Sequence, residues 1–341
     1  MTTHRERVRS IDTNGITLQV HEAGDVGAPL VVLAHGFPEL AYSWRHQIPA
    51  LVEAGYRVIA PDQRGYGDSG RPEAVEAYDI VQLCGDLTGL LDALGEETAV
   101  FVGHDWGSMV VWNLALLAPE RVRAVVGMSV PFAPRPAIPP TQMMRNMVGD
   151  SFFYILYFQS PGVADADLGA DPAVTLRRML AGLELAGSSE PSPEDLISVM
   201  ANDGRGFVDR LPEPDRLPGW LTQVELDHYI EVYRRTGFTG GINWYRNFDR
   251  NWELTAHVAD RHVEMPSLFI VGRADPVLLM MPPMMAEPFL DDHRGDVFID
   301  GAGHWVQQEA PEAVNEALLG VLGGLDDPGD AAPDATGGGS R

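Results

Sequence analysis

Ala99-Val100-Phe101-Val102-Gly103-His104-Asp105-Trp106-Gly107 is the stretch on which the reading of this chain turns. Ala99 to Val102 is a short continuous apolar run, the pattern of a strand buried on both faces. Gly107 to Leu117 follows at once and is apolar nearly all round, as a helix packed between a sheet and its neighbours has to be. Small residues two before and two after Asp105 permit a sharp, strained turn from strand to helix. Such an elbow pushes its central side chain out at the top of the sheet, beside a helix N-terminus. A serine there would attack carbonyl carbon. A carboxylate is a poor acylating group, but it can displace a leaving group at sp³ carbon and form an alkyl ester. On these five residues alone, an aspartate that simply caps the helix is an open alternative.

Working outward, Ile16 to Val20, Leu30 to Ala34, Tyr56 to Ala60 and Val122 to Met128 read as further strands. Between them Ile80, Leu83, Leu87, Leu90, Leu91 and Leu94 recur at helical spacing, so Tyr78 to Leu94 is an amphipathic helix with Cys84 on its buried stripe. This alternation predicts an α/β domain with a mostly parallel sheet flanked by helices. It breaks near Pro131. From there to about Trp252 the pattern is helical in patches, clearest at Asp195 to Met200 and Leu221 to Arg235, with no convincing strand. The alternation resumes with Ser267 to Val271 and Asp296 to Ile299, and a last helix starts at about Pro311 with Gly323 near its end. The expected organisation is a core in two parts, 1–131 and 256–325, with a mostly helical cap, 132–255, inserted between them. Residues 326–341 are rich in Asp, Pro and Gly and read as a disordered tail.

Composition narrows the chemistry. At roughly 100–200 residues per domain, 341 residues make about two structural units. The 49 acidic residues against 24 basic ones give a formal net charge of -25, a field that opposes nucleic acid and anionic membrane as partners. Every basic residue apart from histidine is arginine, which excludes a lysine Schiff base, a lysine-held pyridoxal group and a P-loop lysine. The single cysteine excludes an internal disulfide and a cysteine-rich metal site. Met1 to Ser10 carries four charges and no apolar run, and no run reaches the ~18 apolar residues of a membrane span. A cytoplasmic protein is expected.

Three more segments complete the elbow. His35-Gly36-Phe37-Pro38 follows an apolar strand, and the Phe37 N–H with that of Trp106 would make a two-donor oxyanion hole, although a plain turn explains His-Gly equally. Asp275, in Gly272-Arg273-Ala274-Asp275-Pro276, and His304, in Gly303-His304-Trp305, each follow a strand. Open α/β sheets place their sites at such carboxyl ends. The order nucleophile, acid, histidine is that of the elbow folds, so Asp105, Asp275 and His304 read together as a catalytic triad.

With these motifs the chain resembles an epoxide hydrolase of the α/β-hydrolase fold over about residues 10 to 323. Gly-His-Asp-Trp-Gly and His-Gly-Phe-Pro carry the resemblance, together with Tyr154-Ile155-Leu156-Tyr157-Phe158-Gln159-Ser160-Pro161-Gly162 and Asn243-Trp244-Tyr245-Arg246-Asn247. It implies two cap tyrosines that hold the epoxide oxygen, Tyr154 rather than Tyr157, and Tyr245. The competing reading of both is an aromatic helix face packed as core. His35, Pro38, Phe158, Trp244 and Trp305 are the expected pocket residues. The resemblance further implies a small hydrophobic epoxide and water as partners, no cofactor and no metal, in a monomer or homodimer. A haloalkane dehalogenase shares the elbow and the aspartyl ester, but Phe37 stands where an asparagine is expected after His-Gly. An ester hydrolase lacks its serine here, and a non-catalytic receptor would not need the intact triad.

Overall fold

The computed structural model describes residues 6–182 and 201–325. Its strands are β1 Arg7–Thr13, β2 Ile16–Ala23, β3 Leu30–Ala34, β4 Arg57–Pro61, β5 Ala99–His104, β6 Val122–Met128, β7 Ser267–Gly272 and β8 His293–Ile299. They form one sheet in the order β1-β2-β4-β3-β5-β6-β7-β8. β1 pairs antiparallel with β2 and β2 with β4, while every pair from β4–β3 to β7–β8 is parallel. The limits of β3 and β6 are those the apolar runs mark. β1 is absent from the sequence reading.

The continuous apolar runs have a simple cause. Successive side chains of a strand point to opposite faces, and here both faces are covered. Val32, Ala34, Phe101 and Val125 join one apolar cluster, to which helices α2 (Ile80–Leu94) and α3 (Trp106–Leu117) contribute Leu83, Leu87, Val110 and Leu114. Val31, Leu33, Val100, Val102 and Val126 join the other, with Ile48 and Leu51 of α1 (Gln47–Glu53) and Val314, Leu318 and Leu322 of the C-terminal helix Pro311–Leu325. α2 starts after Asp79, whose carboxylate accepts from the Gln82 N–H at 3.0 Å. Tyr78, the expected first residue, belongs instead to a 3₁₀ turn. Cys84 is buried on α2.

Between β6 and β7 the described residues add no strand to the sheet. They form α4 Pro140–Val148, α5 Tyr154–Phe158, α6 Val163–Gly169, α7 Pro172–Arg177, α8 Gln223–Thr236, α9 Thr239–Arg246 and α10 Phe248–Leu254. The helix expected at Asp195 to Met200 lies outside the described residues, as does the tail from 326. α8 opens with a capping box in which Thr222 and Glu225 satisfy each other's backbone N–H. This insertion lies over the carboxyl ends of the strands. The Tyr233 hydroxyl donates to the Glu39 carbonyl after β3 at 3.2 Å, and the Trp244 indole N–H donates to the Arg64 carbonyl after β4 at 3.1 Å. Among the described residues no helix is long and apolar enough to cross a membrane.

Candidate active site

Asp105 sits at the junction of β5 and α3 with φ 52° and ψ -117°. A positive φ at a non-glycine residue stores roughly 1–3 kcal/mol of strain, which the surroundings hold in place. Its N–H donates to the Met128 carbonyl of β6 and its carbonyl accepts from the Met109 N–H. A Cβ at Gly103 would strike the Gly107 carbonyl, and one at Gly107 would strike the Ala34 carbonyl at the end of β3. Gly36 packs on Asp105 itself, where a side chain would meet the carboxylate Oδ1 at 2.5 Å. This close approach lets the Phe37 N–H donate to Asp105 Oδ1 at 2.8 Å. Trp106 opens α3, so its N–H is one of the four that have no intrahelical acceptor.

The loop after β8 brings His304 alongside, with Nε2 3.5 Å from Asp105 Oδ2. Its Nδ1 is 3.1 and 3.0 Å from the two oxygens of Asp275, in the loop after β7. Exposure falls along the row, from 15% for the Asp105 side chain to 10% for His304 and 0% for Asp275, so only the nucleophile end meets a ligand. Burial alone would depress the imidazole, but Asp275 and Asp105 outweigh it and raise His304 well above the ordinary histidine value. Burial would likewise raise Asp275, yet His304 and the Val277 N–H, donating at 2.9 Å, hold it below the usual carboxylate range.

The insertion faces this row with tyrosine. Tyr154 on α5 and Tyr245 on α9 meet edge to face with ring centroids 5.9 Å apart. Burial first, and the negative charge of Asp105 second, push both phenols above their ordinary value, so both keep their protons. Tyr157 faces elsewhere, its hydroxyl donating to Asp167 at 3.2 Å. Phe158 closes an aromatic ring of contacts with Phe37, Tyr154 and Tyr245 at 6.1, 5.6 and 5.1 Å.

Residues 29–311 match the α/β-hydrolase fold family. The chain is 59% identical to epoxide hydrolase A of Mycobacterium tuberculosis, across 93% of this chain and 98% of that one. It is 41% identical to epoxide hydrolase 1 of Siraitia grosvenorii, across 92% and 97%. The crystal structure of epoxide hydrolase A from Mycobacterium thermoresistibile superposes with a TM-score of 0.90 at 59% identity, covering 94% of this chain and 99% of that one. An epoxide hydrolase from an endophytic Streptomyces gives 0.88 at 42% identity, covering 94% and 96%. The chain belongs to the epoxide hydrolase family.

Beneath the row of this epoxide hydrolase lies a buried pair that the motifs contain but the sequence reading passed over. His104 donates from Nδ1 to Glu39 at 2.6 Å and from Nε2 to the His304 carbonyl at 2.7 Å. Glu39 also accepts from the Gly36 N–H and from the side-chain amides of Gln307 and Gln308. Burial works against its charge, but His104 and the Gly36 N–H bring its pKa down to about 2. Ser129, with φ 64°, donates its hydroxyl to the same His304 carbonyl at 2.7 Å. The only sequence signal for these was a pair of charged residues flanking glycine turns.

Four expected pocket residues turn out to be packing. His35 is fully buried; its Nδ1 donates to the Gly36 carbonyl and its Nε2 accepts from the Gln63 N–H. With both nitrogens engaged by backbone, it fastens the turn. Pro38 is buried behind Phe37. Trp305 is buried against the rings of His104 and His304 at 5.8 and 4.7 Å. Trp244 is buried between Tyr66 and Trp106, where it joins the insertion to the core.

Proposed function

We propose that this chain hydrolyses an epoxide to a vicinal diol through an ester of Asp105. The observation that carries the reading is a carboxylate at the strained elbow, faced by two protonated tyrosines. An Asp105 oxygen attacks one epoxide carbon as the carbon–oxygen bond breaks, and Tyr154 and Tyr245 donate to the departing oxygen, one of them passing it a proton. A phenol suits this step because it stays protonated near neutrality yet is a stronger acid than the alcohol that the departing alkoxide becomes.

The charges of Asp275 and Asp105 favour the protonated form of His304 at rest, and an imidazolium cannot act as a base. Esterification removes one of the two carboxylate charges that hold its proton, so the first step lowers the pKa of the base that the second step needs, and the proton His304 releases restores, through solvent, the tyrosine that gave up its own in ring opening. Neutral His304, oriented by Asp275, then takes a proton from water as the hydroxide adds to the Asp105 carbonyl carbon. The Phe37 and Trp106 N–H groups donate to the oxyanion that forms, and its collapse expels the diol alkoxide, which takes the proton of the newly added hydroxyl and so leaves the Asp105 carboxylate.

His304→Gln tests this. It should still form the ester but fail to cleave it, so intact-protein mass should rise by one substrate and peptide mapping should place the adduct on Asp105. Turnover at the wild-type rate with no adduct would refute the assignment.

A further inference from the structure

The geometry points to Gly240 and Gly241 as positioning residues that set the Tyr245 hydroxyl relative to Asp105, an inference that rests on the role given to Tyr245 above. Both lie in the first turn of α9. A Cβ at Gly240 would strike the Gly65 carbonyl oxygen and lie 2.7 Å from Gly65 Cα. A Cβ at Gly241 would lie 2.5 Å from Phe37 Cδ2 and 2.6 Å from the Tyr66 hydroxyl. The helix backbone therefore rests on the loop after β4 and on Phe37 with only hydrogen atoms between. Glycine weakens a helix by roughly 1 kcal/mol per residue relative to alanine, so this turn is locally disfavoured and the close approach is what it gains.

Phe37 is also the residue whose N–H holds Asp105 Oδ1, and its ring meets the Tyr245 ring edge to face at 5.5 Å. Tyr245 follows Gly241 by four residues, so it projects from the same side of α9 one turn further on. Asp105, Phe37, Gly241 and Tyr245 thus form a short contiguous path from nucleophile to proton donor. Trp244 on Arg64 and the Asn247 amide on the Val75 carbonyl, at 2.6 Å, keep α9 pressed onto that path. α5 is tied to α9, because the Gln159 amide donates to the carbonyls of both Ile155 and Tyr245 at 2.9 Å. A helix lifted off the core would carry Tyr245 with it while leaving Asp105, His304 and Asp275 on their own loops.

The test is single-turnover kinetics of Gly240→Ala and Gly241→Ala, each in the wild-type and the Tyr245→Phe background. Since a misplacement of about 1 Å can cost about 10²-fold, ester formation should slow at least tenfold in the wild-type background. In the Tyr245→Phe background the further loss should be several-fold smaller than in the wild-type background, because a residue acting chiefly through Tyr245 then has only the linked Tyr154 and Phe37 left to disturb. Gly240→Ala should cleave the ester, once formed, at nearly the wild-type rate, since that step uses His304 and Asp275. Equal losses in both backgrounds, or parallel slowing of ester formation and cleavage, would overturn the inference. So would failure of both variants to fold by circular dichroism, which would make the glycines a requirement of the fold alone. If Tyr245→Phe by itself leaves ester formation unchanged, the failure lies with the role of Tyr245, and the inference falls with it.

Discussion

Tyr154 and Tyr245 meet edge to face from different supports. Tyr245 is buried on a helix pressed against the core, with the Trp106 ring edge on at 5.0 Å. Tyr154 is half-buried among Phe153, Phe158 and Phe207. Replacing either with Phe removes one donor and keeps the ring, so packing survives and the remaining hydroxyl sustains a slower ring opening. Replacing both removes general acid assistance, worth about 10²–10⁴-fold, and ester formation should nearly stop. Tyr245→Phe should be the more damaging single change, because Tyr245 is the more deeply buried and so the better fixed. Stopped-flow ester formation on the two single variants and the double variant checks this; a double variant as fast as wild type would reduce both tyrosines to packing.

At the scale of elements, the elbow depends on β3, β5 and α3 approaching more closely than side chains allow. Gly107→Ala would drive a methyl into the Ala34 carbonyl and lie 2.7 Å from that of His35. Overpacking of this kind costs roughly 1–3 kcal/mol, and the displaced helix would take Asp105 off its line with His304. Gly320, exposed in the C-terminal helix with nothing within 4 Å of its would-be Cβ, is the control. Gly320→Ala should stabilise by up to about 1 kcal/mol through helix propensity alone. Urea unfolding of the two variants should shift in opposite directions, and a stable, active Gly107→Ala would contradict the packing argument. The same closeness explains what the sequence could tell. Strands buried on both faces leave continuous apolar runs, so β3, β5, β6 and β7 were legible. β1 buries only Ile11 and Thr13 and lies at the sheet edge, where Arg7 and Arg9 reach Glu22. Its charges leave no apolar run to mark a strand. β8 starts three residues before its expected limit because His293, Arg294 and Gly295 carry no apolar signal. Asp105 follows β5 at once, and Asp275 and His304 stand in the short loops after β7 and β8, the positions by which the sequence marks them as candidates. Glu39 and His104 were not legible, because a buried ion pair looks in sequence like two surface charges, and only the fold reveals that they meet.

For the whole molecule, Glu39 is where three distant parts of the chain are fastened: the turn after β3, the elbow through His104, and the His304 loop through Gln307 and Gln308. Neither Glu39 nor His104 has any exposed side-chain surface. Breaking such a pair from one side costs about 3–5 kcal/mol, because the remaining charge is left buried. Glu39→Gln keeps the amide-bonding shape but not the charge, so it should destabilise the fold near neutrality. Its pH dependence carries the sharper prediction. The folded pKa of Glu39, about 2, lies below the 4.5 of the free side chain. Its contribution is therefore complete above the higher value and is lost as the pH falls through the lower one. That shift corresponds to about 3 kcal/mol of stability disappearing across the window. Over the same range, below the isoelectric point of about 4.6, protonation makes the chain net positive and self-repelling, an effect that wild type and variant share. The difference between the two proteins isolates Glu39. Urea unfolding free energies measured at intervals from neutrality down to about pH 3 should converge, with wild type losing stability more steeply than Glu39→Gln. Curves that stay parallel would mean that the pair does not hold the three loops together by charge.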